Sequence, residues 1–137
     1  MKYMGSKARI AKHILPIILK DRKEGQWYVE PFVGGANMID KVDGNRIGGE
    51  YNKYIAEMWR SLTTGCKPPI ITKQDYHEIK INHNKYPYWL VGWVGIACSY
   101  SGKWFGGFAG KTSTKGGDRD YQTEAHVNLE KQLPKLI

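Results

Sequence analysis

Apolar residues in this chain recur in short groups whose spacing changes along its length, and the changes predict alternating helices and strands. Ile10, Ile14, Ile17 and Ile18 recur at helical spacing, while Lys7, Arg9, Lys12 and Lys20 are left to solvent, which predicts a helix over residues 6–20. Ser6 is its expected N-cap, and Pro16 is expected to kink or split it. Gly25 ends this unit. Trp27-Tyr28-Val29 is β-branched and aromatic and reads as a buried strand running to Glu30. The run breaks at Pro31 into the pair Gly34-Gly35, and a short helix is expected over 37–42. Asp43-Gly44-Asn45 reads as a turn before a second short strand over 46–49, which leads into Glu50. Asn52 can cap a helix that carries Tyr54, Ile55, Met58 and Leu62 on one face and closes at Gly65.

The second half of the pattern is less regular. Thr72 or Asp75 opens a helix towards Asn82. Residues 86–100 are apolar and aromatic, with Trp89, Trp93 and Tyr100, and predict a buried helix despite Gly92 and Gly95. Residues 101–119 are rich in glycine, lysine, serine and threonine and read as a long loop; a loop of that length is functional or disordered. A last helix is expected over 121–133, ending at Pro134. The fold class is therefore α/β, with residues 1–65 as the strand-bearing part and 66–137 as a helical and loop part, together one unit.

Strand, glycine pair and helix in that order is how α/β folds build nucleotide and cofactor sites. Glycines admit a ligand where a Cβ would clash, and the ligand sits at the carboxyl end of the strand. An acid ending the next strand, here Glu50, can accept hydrogen bonds from ribose hydroxyls.

The residues also match a family. Glu30-Pro31-Phe32-Val33-Gly34-Gly35-Ala36-Asn37 resembles the S-adenosylmethionine (SAM) loop of Dam-like DNA adenine-N6 methyltransferases. Lys2-Tyr3-Met4-Gly5-Ser6-Lys7 is similar to that family's short N-terminal motif, which lies against SAM, and Glu50-Tyr51-Asn52 to its acidic ribose-binding motif. The stretch from Ser99-Tyr100-Ser101-Gly102-Lys103 to Phe108 resembles the opening of its target-recognition region. The resemblance implies a partial Rossmann-like methyltransferase fold without the C-terminal half of its sheet. It implies SAM as cofactor, held by Tyr3, Lys7, Pro31, Phe32, Gly34, Gly35, Ala36 and Glu50. It implies DNA as partner; Lys103 and Trp104 in the recognition-like stretch and, by their charge, the loop lysines Lys111 and Lys115 are the expected contacts, although Trp104, Phe105 and Phe108 also suit a hydrophobic cluster anchoring the loop.

One part of the family pattern is absent. These enzymes carry an Asp-Pro-Pro-Tyr tetrapeptide, or an Asn or Ser variant at its first position, after the recognition region. It accepts hydrogen bonds from the adenine amine and stacks on the flipped base. The nearest string here, Cys66-Lys67-Pro68-Pro69-Ile70, has a lysine in the acceptor position and precedes the recognition region, so it reads as a loop. No catalytic residue is assigned, and the sequence stops about where the strand leading into the tetrapeptide would begin. The Trp27 to Glu30 strand is then expected to have a free edge. Its expected cover is a second copy, a partner chain, or residues 133–137 folded back as a strand.

Bulk properties narrow the reading. The 137 residues carry a formal net charge of +8, which favours a polyanionic partner. No run of about 18 apolar residues predicts a membrane span, and the N-terminal stretch lacks the pattern of a cleaved leader. Cys66 and Cys98 have no metal-type spacing and are expected to stay thiols in a reducing cytoplasm. His77 and His83 have no acid pair beside them, so no metal site is expected. Three readings stand at this point: a SAM-dependent adenine methyltransferase portion inactive alone; a non-catalytic module binding SAM, DNA or protein, which would suit phage interference with host defence; and a basic nucleic-acid-binding domain whose glycine loop holds nothing.

Overall fold

The computed structural model describes residues 1–137. It is a mixed α/β chain with five α-helices and two small two-stranded sheets. Strand β1 (Tyr28–Glu30) pairs in parallel with β2 (Arg46–Gly48), with Val29 opposite Ile47. A parallel pair needs a crossover, and here it is the glycine loop followed by a single 3-10 turn, Ile39–Lys41, where a short helix over 37–42 was expected. Tyr28 N donates to Asn45 O and Gly49 N to Glu30 O, both at 2.8 Å, so the Val29 backbone groups point away from β2. That edge pairs with nothing.

Helix α1 (Ala11–Ile18) is shorter than the pattern predicts. Ser6 does not cap it; the Ser6 hydroxyl instead accepts from Ala8 N at 3.2 Å and from Asn37 Nδ2 at 2.8 Å. Pro16 lies inside α1 without splitting it, because the proline faces solvent and the chain loses only one hydrogen bond. The expected apolar face is corrected as well. Ala11 and Leu15 are buried, whereas Ile10, Ile17 and Ile18 are exposed, since only one narrow stripe of α1 meets the rest of the chain.

Helix α2 (Lys53–Thr63) is capped by Asn52, whose Oδ1 accepts from Tyr54 N and Ile55 N, and it buries Ile55, Met58, Trp59 and Leu62. Of the two possible starts for α3 (Lys73–Ile81), Thr72 is the cap. Its hydroxyl accepts from Asp75 N and the Asp75 carboxylate accepts from Thr72 N, a closed capping box. Helix α4 (Tyr88–Ile96) is the predicted apolar helix and is buried from Val91 to Ile96. At Gly92 a Cβ would fall 2.9 Å from Met58 Cβ and closer still to the Tyr54 carbonyl, so α2 and α4 approach backbone to backbone there. One continuous core runs from Ala11 through α2, α3 and α4 to Leu129.

The expected loop over 101–119 holds a β-hairpin. Strand β3 (Lys111–Thr114) pairs antiparallel with β4 (Gly117–Asp120) around Lys115-Gly116. The hairpin is anchored at its base, where Tyr121 N donates to Gly110 O and Asp120 caps helix α5 (Tyr121–Gln132). Residues 133–137 do not form the expected strand. Leu133–Lys135 is a 3-10 turn whose Lys135 carbonyl accepts from the Arg46 guanidinium, and this seats the tail beside β2, away from the β1 edge. No helix is long and apolar enough to cross a membrane.

Candidate functional site

The strand β1 is polar on the wrong side for a core strand. Val29 is 60% exposed, while the Glu30 side chain is turned inward and the residue is only 6% exposed. Period-2 alternation forces this choice once Tyr28 is buried, because Tyr28 and Glu30 share a face. The Tyr28 hydroxyl donates to Glu30 Oε2 at 3.3 Å, and Lys7 Nζ lies 3.8 Å from Glu30 Oε1. Glu30 Oε1 itself has no hydrogen-bond partner. Burial raises the Glu30 carboxyl above its ordinary range, against the pull of Lys7 in the other direction. The same burial, with the Glu30 charge and the hydrogen bond to it, pushes the Tyr28 phenol up to about 12.

The glycine loop follows at once. Gly34 sits at φ +50°, in the left-handed region, and a Cβ there would lie 2.7 Å from the Tyr3 ring. At Gly35 a Cβ would meet Asn37, Tyr3 and the Met1 carbonyl at 2.8–2.9 Å. Both glycines therefore make room for residues 1–4 of the chain itself, which strap across the loop. Ala36 adopts φ +58°, strained for a residue with a Cβ, and is buried. Trp59 Nε1 donates to Gly34 O at 2.8 Å, and Gln132 Nε2 donates to Gly35 O and Ala36 O at 3.0 and 3.2 Å. Gln132 Oε1 in turn accepts from the Met1 ammonium at 2.7 Å. The loop is thus braced from α2 on one side and α5 on the other.

Glu50 stands at the carboxyl end of β2. Its Oε2 accepts from Gly34 N at 3.0 Å and its Oε1 from Asn52 N at 3.3 Å, each oxygen keeping a lone pair for another donor. Tyr3 is close enough that burial first, and the Glu50 charge second, raise its phenol above the ordinary tyrosine range. Lys7 Nζ donates to Phe32 O at 3.1 Å. Pro31 and Phe32 are exposed, Phe32 by 75%, and form an apolar shelf beside the two acids.

The eight residues expected at a cofactor, Tyr3, Lys7, Pro31, Phe32, Gly34, Gly35, Ala36 and Glu50, fall together around the ends of β1 and β2. Two side chains that shape this region, Glu30 and Gln132, were not singled out from sequence. Glu30 appeared only as the first letter of a motif, although alternation with Tyr28 would have turned it inward. Gln132 lies 97 residues from Gly35 in sequence, and no local signal reports such a contact.

The four residues expected at DNA are more dispersed. Lys115 is at the hairpin turn and exposed. Lys111 is exposed at the hairpin base, where it pairs across from Asp120 and helps hold that carboxyl low, after the hydrogen bonds from residues 122 and 123. Lys103 is exposed. Trp104 is half-buried, stacked on Tyr54 at 6.0 Å and edge-on to Phe105 at 4.9 Å, within the hydrophobic cluster. No group of three or more His, Cys, Asp or Glu side chains is placed to hold a metal ion.

No protein-family model matches this chain, and no curated protein matches it.

Proposed function

We propose that this chain binds SAM at the ends of β1 and β2, binds DNA weakly through its basic surface, and does not methylate adenine by itself. On this reading it is a partial Rossmann-like methyltransferase unit of the adenine-N6 type. The observation that carries the reading is Glu30. Its Oε1 is buried without a hydrogen bond and meets only the Lys7 ammonium, 3.8 Å away and too far to donate one; the α-ammonium of SAM is a second cation that would supply that hydrogen bond. Glu50 supplies the second fixed point, an acceptor for the ribose hydroxyls. Phe32 offers an apolar surface for the adenine. SAM would bring the reactive methyl sulfonium; the chain's part is to hold its two ends. The 137 residues contain no Asp-Pro-Pro-Tyr, the motif that in the resembled family accepts hydrogen bonds from the target amine and stacks on the flipped adenine.

Isothermal titration with SAM and with its demethylated product tests the proposal. Both are expected to bind the wild-type chain. Glu50→Ala leaves the ribose hydroxyls unpaired and is expected to weaken binding by about 1–3 kcal/mol. No heat and no thermal shift with either ligand at millimolar concentration removes the proposal.

A further inference from the structure

The strap of residues 1–4 has a second side. Tyr3 lies on Gly34, while its neighbour Lys2 turns to the opposite face, where its Nζ stands 5.3 Å from the centre of the Tyr121 ring. Arg119 Cζ stands 4.6 Å from the same ring. One tyrosine thus holds two cations at the rim of a cavity of about 190 Å³. Tyr100, 45% exposed, meets Tyr121 edge to face at 5.4 Å and forms the adjoining wall. Glu124 is the cavity's one acid and is ion-paired with Arg119, so Lys2 leaves the lining net positive. The inner surface is made of the small side chains of Ala97, Ala109 and Ala125, with Ser101 and Asn128 bringing a hydroxyl and an amide to its edge. The cavity is held open by backbone that is itself fixed: Ser101 sits at φ +56°, and Met4 N donates to Gly102 O at 3.2 Å.

These features select a ligand. Apolar walls, aromatic flanks and peripheral polar groups suit a planar ring, and the two rim cations suit an anion attached to it. A cavity of roughly 150 Å³ encloses benzene, so this one accommodates a six-membered ring with its substituents. We propose that it is a binding site for a pyrimidine nucleotide, with the ring against the alanines and the phosphate at the rim on Lys2 and Arg119. Neither Glu30 nor Glu50 lines this cavity, so the site stands apart from the proposed SAM site.

The test is a titration of the full chain with dCMP, AMP, inorganic phosphate and the single strand (dC)8, followed by backbone-amide NMR. Saturable shifts are expected at Ser101, Gly102 and Asn128, with dCMP at least tenfold tighter than either phosphate or AMP. Competition by (dC)8 for the same amides assigns the nucleotide to a strand; binding of dCMP without such competition assigns it to the free pool. Ala125→Leu fills the cavity from α5 and is expected to abolish binding, and Lys2→Ala to weaken it at least fivefold. Glu50→Ala should leave dCMP binding unchanged, which separates this site's failure from that of the SAM site. The inference is overturned by absence of saturable shifts with both dCMP and (dC)8, by phosphate or AMP binding as tightly as dCMP, or by unchanged binding in Ala125→Leu. If Ala125→Leu loses its folded spectrum, Lys2→Ala decides, because that side chain is exposed and carries no core contact.

Discussion

Replacing Glu30 by glutamine should move stability and binding in opposite directions. In the folded chain burial raises the carboxyl above its unfolded value. The sign of the linkage follows: the favourable contribution is fully present below the unfolded carboxylate pKa and is lost as pH rises through the folded one. At neutral pH the wild-type chain therefore carries an ionised, partly unsatisfied group that glutamine does not. Glutamine keeps an oxygen for the Tyr28 hydroxyl and still leaves one polar atom short of a partner, so the gain is a fraction of a full desolvation penalty, about 1 kcal/mol. At roughly 2.1 cal/mol/K per residue the unfolding entropy of this chain is about 0.29 kcal/mol/K, and 1 kcal/mol corresponds to a rise in Tm of about 3.5 °C. The advantage should shrink towards zero below about pH 4, where the wild-type carboxyl is protonated. SAM affinity should fall by about 1.5–3 kcal/mol through the lost charge-assisted bond, roughly 10- to 150-fold in Kd. Thermal melts at pH 4 and 7 with calorimetric titration of SAM read both effects. A Glu30→Gln chain that melts lower at pH 7 and binds SAM as the wild type does would make Glu30 a structural acid and refute the argument.

Three further outcomes are expected. Labelled SAM should transfer no methyl group to duplex DNA above the level of a Gly35→Val control, because the acceptor and stacking groups are missing; incorporation above that level would reveal a substitute acceptor. DNA binding should weaken steeply between 50 and 200 mM salt, as counterion release requires. Substituting Lys103, Lys111 and Lys115 together should flatten that dependence, and salt-independent binding would detach the net charge from any phosphate contact. At the β1 edge, Val29, Trp27 and Ile18 line one open groove. That edge should be covered by a second copy or a partner chain, so a light-scattering monomer whose Val29 amide exchanges like a loop amide would contradict the second copy and leave only the partner chain.

What could be read beforehand was local. Asn52 and Thr72 act within three residues of themselves, so the cap of α2 was legible and that of α3 was narrowed to two residues. The parallel strands were legible because Pro31 and the turn over 43–45 mark where each one stops and starts. The hairpin was hidden by its composition: Lys111-Thr112-Ser113-Thr114 has only its threonines to signal a strand, and the anchors at its base, Gly110 and Asp120, bond to the helix that follows. The face of α1 was misread because four isoleucines suggest a stripe, whereas the available contact accepts only Ala11, Leu15 and part of Ile14. The bracing of the glycine loop was unreadable, since Gln132 and Met1 reach it from the two ends of the chain.

The closeness of α2 and α4 also sets an order of events during folding. Two glycines inside α4, Gly92 and Gly95, cost it roughly 1 kcal/mol each in intrinsic helicity, so nine residues of this composition have little helical population alone. The helix becomes worthwhile only when Gly92 is pressed against the Tyr54 carbonyl and Gly95 against Trp104, contacts that exist nowhere in the unfolded chain. Helix α2, capped and amphipathic, can flicker into existence first, and α4 forms on it as a template. The rate at which this chain folds is then expected to respond to substitutions at Met58 and Gly92 and to ignore those in the hairpin, which closes afterwards on a core already made.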